Sequence, residues 1–413
     1  MLEQGIAKRD TDLESGVIGA YVDSFAARLT ACGYAPATIR SQRNLLGQFN
    51  EWLNRRRCAI RQLNEELLAT FVKRCARRGR VHRGDVKTLR QFVTHLQACG
   101  ALAPSAPVVD DSPLGQLQRA YARYLTTERG LAPVTVSDYV DVLRRFLSEQ
   151  FANGPLDFSA LTVSTITTFV LRQARTMSPR HAQGIVSALR SICRFLRQRG
   201  AIDCDLAAAL PSVSDWRLAT IPKYLTPEEV ECVLQTCDRQ TSVGRRDHAI
   251  LLLLARLGLR AGEIIAFELD DIRWRAGEIL VRSSKRLPQD RLPLVADVGA
   301  ALATYLRRDR PPHTTRRVFL CTRAPRRGFA KPSTVSSIVR RALARAGLSP
   351  ALKGAHLFRH SLATRMLRHG ASLPEIGMVL RHRAVQTTEI YAKVDLDRLR
   401  ALVQPWPGTG GAR

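Results

Sequence analysis

The sequence predicts a mainly α protein with a small β-sheet, built as two helical domains followed by an α+β domain, and three observations carry that expectation. A stretch near the N-terminus repeats about 100 residues later. Both copies place apolar residues at helical spacing, and only the last half of the chain adds short strand-like runs to its helices. At 413 residues, with 45% apolar and 24% charged residues, the chain has the composition of an ordinary globular protein and the length for two to three domains.

Tyr34-Ala35-Pro36-Ala37-Thr38-Ile39 recurs as Leu131-Ala132-Pro133-Val134-Thr135-Val136, and Leu46 and Phe49 fall on Leu143 and Phe146 at the same offset of 97. Ala69 to Val72 meets Thr167 to Val170 at offset 98, and Leu89 to Ala101 meets Leu189 to Ala201 at offset 100. A drift of three residues is what small loop changes between two copies of one helical bundle would produce. The apolar positions Ile39, Leu45, Leu46, Phe49, Trp52 and Leu53 in the first copy, and Val136, Tyr139, Val142, Leu143, Phe146 and Leu147 in the second, have helical spacing. The Pro-, Ser- and Asp-rich stretch Ala101 to Pro113 separates them as a linker. Domains are therefore expected at 1–105, 113–210 and 222–413.

A second break, Pro211 to Tyr224, precedes Thr226-Pro227-Glu228-Glu229, where a capping Thr, a Pro at the first helical position and a Glu three residues on open a helix. Beyond it, Ala249 to Leu257 is expected as a buried helix ended by Gly258. Glu278 to Arg282 and Arg291 to Val295 are expected as strands. Helices are expected over Val298 to Arg307, Ser333 to Ala346 and His356 to His369, and Ser372-Leu373-Pro374-Glu375 starts another.

Lys and Arg total 64 against 36 Asp and Glu, a net charge of +28, and Arg supplies 56 of the 64. A guanidinium binds phosphate through paired hydrogen bonds and keeps its proton, so this surplus points to nucleic acid. The nine cysteines form no CxxC and the N-terminus is polar, which fits reduced thiols in a cytoplasmic, nucleoid-associated prokaryotic protein. The most apolar stretch, Ala249 to Leu259, contains Arg256 and is far shorter than the roughly 20 residues a bilayer requires, so no membrane partner is expected.

Four segments of the last domain carry the chemistry. They are Arg256-Leu257-Gly258-Leu259-Arg260-Ala261-Gly262-Glu263; Lys285 with Arg291-Leu292-Pro293-Leu294; His356-Leu357-Phe358-Arg359-His360; and His382 followed nine residues later by Tyr391. In order and spacing they resemble the tyrosine recombinase (phage integrase) family, most strongly from about Thr226 to Asp397. More weakly, residues 113 to 205 resemble its helical core-binding domain, so the helical copies would be DNA-clamp domains and the last a tyrosine-recombinase catalytic domain.

Breaking a phosphodiester concentrates charge on the non-bridging oxygens, which rigid cationic donors must meet, and Arg260 and Arg359 are the candidates. Glu263, three residues beyond Arg260 and so expected on the same helical face, can orient its guanidinium. The resemblance makes Tyr391 the nucleophile, assisted by His356 and His382, and Lys285 the general acid for the leaving 5′-oxygen. It implies a 3′-phosphotyrosine intermediate, no cofactor and a homo-tetramer on double-stranded DNA, with companion recombinases as further candidate partners. Two departures from the family stand out: Arg381 stands where Gly is common, and Ser284 and Arg286 flank Lys285 where many members have Gly.

A metal-dependent nuclease is disfavoured, because a zincin helix needs Glu after its first His and Leu357 follows His356. Further DNA contacts are expected from Arg190, Arg194 and Arg197 on one helix face and from Arg40, Arg43 and the run Arg55 to Arg57 in the first copy. After Tyr391, the apolar positions Val394, Leu396, Leu399, Leu402 and Val403 suggest a short helix that, in the family, docks on a neighbouring protomer. The reading is a site-specific recombinase serving integration or transposition of a mobile element. Its rivals are a relaxing activity like a type IB topoisomerase, a helix-turn-helix repressor, and an architectural DNA-binding partner of another recombinase.

Overall fold

The computed structural model describes residues 16–79, 84–104, 110–152, 154–213, 222–282, 290–382 and 384–394. Four helices make the first bundle: α1 (Gly19–Ala31), α2 (Pro36–Arg55), α3 (Glu65–Arg77) and α4 (Asp85–Ala98). Pro36 occupies the first turn of α2, and the Asn64 side chain accepts from the Leu67 backbone N–H at the head of α3, so both helices start where the sequence satisfies or removes an orphan donor. The second bundle runs α5 (Pro113–Thr127), α6 (Pro133–Phe151), α7 (Val163–Thr176) and α8 (Pro179–Gln198), followed by the short α9 (Leu206–Ala209).

The repeat extends to detail. A 3₁₀ turn precedes the third helix in both bundles, at Ile60–Gln62 and at Phe158–Ala160. Leu46, Phe49, Phe71, Leu89 and Leu96 fall on Leu143, Phe146, Phe169, Leu189 and Leu196, and all ten side chains are buried. The two copies are one packing solution written twice.

By contact, the chain divides into two compact units: Pro104–Ala219, and Met1–Ala103 together with Thr220–Arg413. The latter holds separate apolar cores for the first bundle and for the C-terminal α+β region. That region begins with α10 (Pro227–Gln235), whose Thr226 and Glu229 form the expected capping box. Next come α11 (Ser242–Leu257), α12 (Ala261–Ala266), β1 (Ile272–Arg273), β2 (Glu278–Val281) and β3 (Asp290–Pro293). After these follow α13 (Ala296–Arg308), α14 (Ser333–Arg345), α15 (Ala355–Arg368) and α16 (Leu373–Leu380). Two 3₁₀ turns, Val385–Thr387 and Glu389–Val394, close the described residues.

The sheet is antiparallel in the order β1-β2-β3, with Ile279 between Ile272 and Leu292. β1 has only two residues, too few for any period to show in sequence. Helix α11 runs through the core and packs on α13 and α15, with every residue from Ala249 to Ala255 buried. It starts seven residues before the expected Ala249, capped by Thr241. The early turns are polar, which hid them, but Arg246 and Asp247 are buried as an ion pair at 2.7 Å, and Arg245 pairs with Asp309 at 2.6 Å.

Gly258 ends α11 in the left-handed region at φ +58°, and a Cβ there would lie 2.8 Å from Leu380 and 3.0 Å from Leu362. Replacing Gly258 with Ala adds both backbone strain and a collision in a packed layer. Chemical denaturation should show a loss of about 2 kcal/mol or more, from left-handed strain of roughly 1–2 kcal/mol with overpacking added. An unchanged midpoint would mean that the end of α11 is free to adjust.

Candidate active site

The site forms where α11, α15 and α16 end or pass close together. Arg359, on α15 between the buried Phe358 and the half-buried His360, is only 3% exposed. A buried guanidinium must be satisfied internally. Its Nη1 donates to the Gly258 carbonyl at 2.6 Å and its Nη2 to the Leu380 carbonyl, so the ends of α11 and α16 are tied to α15. Burial, with the charges of Arg260 and Arg381 nearby, pulls its pKa down to about 9, which still leaves a cation at neutral pH.

Two residues past Gly258, Arg260 caps α12 instead of lying on its face, correcting the expectation that Arg260 and Glu263 share a helical face. Glu263 reaches back from α12: its Oε2 accepts from the Arg260 backbone N–H at 2.8 Å and its Oε1 from Arg260 Nη1 at 2.7 Å. Arg260 Nη2 also donates to the Arg381 carbonyl at 3.1 Å, leaving the side chain 37% exposed.

Arg381 ends α16 with φ +56° and ψ +49°. This explains why Gly is common there in the resembled family: the chain passes through the left-handed region. Here an Arg accepts the strain, and its buried guanidinium donates from Nη2 to Glu263 Oε2 at 2.9 Å, while Nε has no hydrogen-bond partner and lies 3.9 Å from Asp290 at the head of β3. One carboxylate therefore holds two guanidiniums. Burial pushes the Glu263 carboxyl up, but the charge of Arg381 and the hydrogen bonds from Arg260 outweigh it and hold the group below the usual carboxylate range.

Tyr391 lies in the 3₁₀ turn Glu389–Val394, 1% exposed, in a small apolar cluster with Leu362, Leu367, Ile376 and Leu380. Its hydroxyl is 2.9 Å from His360 Nδ1. Burial raises the phenol to about 12 against the opposing pull of Arg359 and Arg260, so forming the phenolate in this arrangement costs about 3 kcal/mol more than in water. His382 stacks on the Tyr391 ring, with centroids 6.4 Å apart and planes 6° apart, and its Nδ1 meets the Thr388 hydroxyl at 2.7 Å. His360 and His382 are both lowered to about 4, each chiefly by burial and then by neighbouring cationic groups.

The structure thus brings Arg260, Glu263, Arg359, His382 and Tyr391 together. His356 is exposed on α15, one turn from His360, with ring centroids 6.4 Å apart. The imidazole at the Tyr391 hydroxyl is that of His360, not His356 or His382. Its position directly after Arg359 was the available signal, which a search for metal ligands passed over. Lys285, with Ser284 and Arg286, lies outside the described residues, as do Leu396, Leu399, Leu402 and Val403.

The more distant arginines divide. Arg194 and Arg40 are exposed. Arg190 donates to the Leu210 and Pro211 carbonyls at 2.9 and 3.3 Å, Arg197 pairs with Asp205 at 2.9 Å and Arg43 with Asp23 at 2.8 Å. Two of the three arginines of the stripe therefore also hold α9 and its exit against α8. Among the described residues no group of three or more His, Cys, Asp or Glu side chains could hold a metal ion, and no helix is long and apolar enough to cross a membrane.

The model of the phage integrase family matches residues 223–398, and that of the phage integrase N-terminal SAM-like domain matches residues 119–200. A Sinorhizobium fredii sequence designated an integrase/recombinase, y4rA, is 43% identical over 395 residues, covering 95% of both chains. The tyrosine recombinase XerD of Mycobacterium tuberculosis is 32% identical over 311 residues, covering 71% of this chain and 96% of its own. The fold is shared with the XerH site-specific recombinase bound to a palindromic difH substrate, with a TM-score of 0.56 at 19% identity over 75% of this chain and 92% of that one. The chain belongs to the phage integrase family of tyrosine recombinases. It is an enzyme of the site-specific recombinase class.

Glu263→Gln removes the charge that both Arg260 and Arg381 face, and should cost about 3 kcal/mol at pH 7 by denaturant titration. Because the folded pKa lies below the 4.5 of the free carboxyl, wild type gains this stability above pH 4.5 and loses it as pH falls through the folded value, so the two proteins should converge in acid. A gap independent of pH would place the loss in packing.

Proposed function

We propose that this protein cleaves and rejoins double-stranded DNA at a specific site through a 3′-phosphotyrosine intermediate on Tyr391. The observation that carries this reading is the buried Tyr391 phenol, hydrogen-bonded to an imidazole and within electrostatic reach of Arg359 and Arg260. Arg260 and Arg359 bind the non-bridging oxygens of the scissile phosphate and stabilise the charge that develops there. Glu263 and the Arg381 carbonyl aim Arg260, whose side chain keeps an exposed fraction for the substrate. Attack by Tyr391 expels the 5′-oxygen, which Lys285 protonates, and the reverse reaction rejoins the strands. His356 and His382 flank the site, His356 from the exposed side of α15 and His382 against the Tyr391 ring.

DNA partners this chain as a duplex, held by the cationic surplus and by exposed arginines such as Arg40 and Arg194. The working assembly is a homo-tetramer on DNA, in the bacterial cytoplasm and nucleoid. Integration or transposition of a mobile element is the role that fits best. The relative designated an integrase/recombinase matches nearly the whole chain, whereas the XerD relative matches 71% of it.

Covalent trapping tests the reading. Nicked duplexes from the DNA flanking this gene, incubated with protein in EDTA and then denatured, should give a shifted adduct with wild type and none with Tyr391→Phe. Arg359→Ala, which removes one oxyanion donor, should slow adduct formation on the order of 100-fold or more. Salt-sensitive binding without an adduct would favour an architectural partner of another recombinase. Relaxation of plasmids lacking any such site would favour a topoisomerase-like activity.

A further inference from the structure

We propose that His360 is a catalytic residue: it accepts the Tyr391 phenol proton as the oxygen attacks phosphorus, and returns it when the strands rejoin. The inference rests on the phosphotyrosine reading above and assigns a base within that same site. His360 Nδ1 lies 2.9 Å from the Tyr391 hydroxyl, the heavy-atom separation a general base requires. Its ring meets the Tyr391 ring edge-on at 5.6 Å and 60°, so the contact is held by ring packing as well as by the hydrogen bond. The chain geometry makes this contact follow from the phosphate clamp, since His360 is the residue after Arg359 on α15. The other two imidazoles are placed for other work. His382 Nδ1 is occupied by the Thr388 hydroxyl, and its ring lies parallel to that of Tyr391 with centroids 6.4 Å apart. His356 stands one turn nearer the surface, its ring 6.4 Å from that of His360, where it leads from the buried base toward solvent.

The step balances without another reactant. The phenol O–H bond breaks and its proton passes to His360 Nδ1; the phenol oxygen forms a bond to phosphorus; the P–O5′ bond breaks and the 5′-oxygen takes a proton from Lys285. Rejoining runs these transfers backwards, with the His360 imidazolium protonating the departing phenolate. A neutral imidazole at rest, favoured by burial, is the form able to accept. Because the buried phenol is a weak acid, transfer proceeds together with attack, when the oxygen is already sharing its charge with phosphorus.

The test compares wild type, His360→Asn and His360→Gln in single-turnover cleavage of a nicked duplex that wild type has been shown to trap. Circular dichroism and DNA affinity serve as folding controls, and the second variant guards against a packing fault in the first. Between pH 6.5 and 8.5 the groups facing His360 are His356 and Arg359 on α15, Tyr391 in its turn and His382 after α16. At pH 7 both variants should cleave about 100-fold more slowly, and their rates should rise close to tenfold per pH unit as solvent base replaces the lost imidazole, narrowing the gap to wild type. A duplex whose 5′-bridging oxygen is replaced by sulfur needs no proton on its leaving group; it should rescue Lys285→Ala and leave the His360 variants slow. Rates within threefold of wild type, a deficit that stays constant with pH, or rescue by sulfur would each overturn the assignment. No adduct from wild type at any candidate duplex would instead sink the phosphotyrosine reading on which it rests.

Discussion

The buried charge of Arg359 organises the C-terminal region. A guanidinium at 3% exposure cannot be left to water, and two of its five N–H donors go to the Gly258 and Leu380 carbonyls at the ends of two helices. Both helices stop by turning through the left-handed region, at Gly258 and at Arg381. Arg260 and His382 follow within two residues of those bonds, and the residue after Arg359 meets Tyr391. Holding one cation in place therefore sets the positions of the groups around it, because each is only a residue or two from a hydrogen-bonded anchor.

Around that anchor the electrostatics are unbalanced in a useful direction. Arg260, Arg359 and Arg381 gather around one carboxylate, Glu263, which is divided between Arg260 and Arg381, with Asp290 farther off at 3.9 Å from Arg381. The surplus of positive charge next to a buried phenol is costly without an anion and favourable with one. Arg381 adds to this surplus where a glycine would add nothing, and its Nε near Asp290 connects the end of α16 with the start of β3, the strand that follows Lys285.

Much of the fold was legible because it is written in local signals. Thr226, Ser372 and the prolines at positions 36, 133, 179 and 227 open helices where capping chemistry says they should, and Gly258 closes one. The bundle repeat was visible because buried residues such as Phe49 and Phe146 keep their register through two loop changes. The beginning of α11 was not legible, since Arg245, Arg246 and Asp247 look like surface residues until Arg245 meets the distant Asp309 and Arg246 and Asp247 pair with each other in the interior. Motif order pointed to Arg260, Arg359 and Tyr391, which the fold brings near one another. The contact of His360 with Tyr391 could not be read that way, because it spans 31 residues and depends on how α16 and the following turn fold back on α15. Arg190 and Arg197 share a helix face as their spacing implied, but spacing could not show that they also hold the Leu210 carbonyl and Asp205.

In the proposed reaction the phenol of Tyr391 attacks the phosphate held by Arg260 and Arg359. The most direct measurement is mass spectrometry of the trapped protein after nuclease and trypsin digestion. Cleavage after Arg383 and Lys393 yields the peptide Ala384 to Lys393, in which Tyr391 is the sole tyrosine. The account predicts a nucleotide mass on that peptide, with fragmentation assigning it to Tyr391. A nucleotide on Thr387, Thr388 or any other peptide would contradict it.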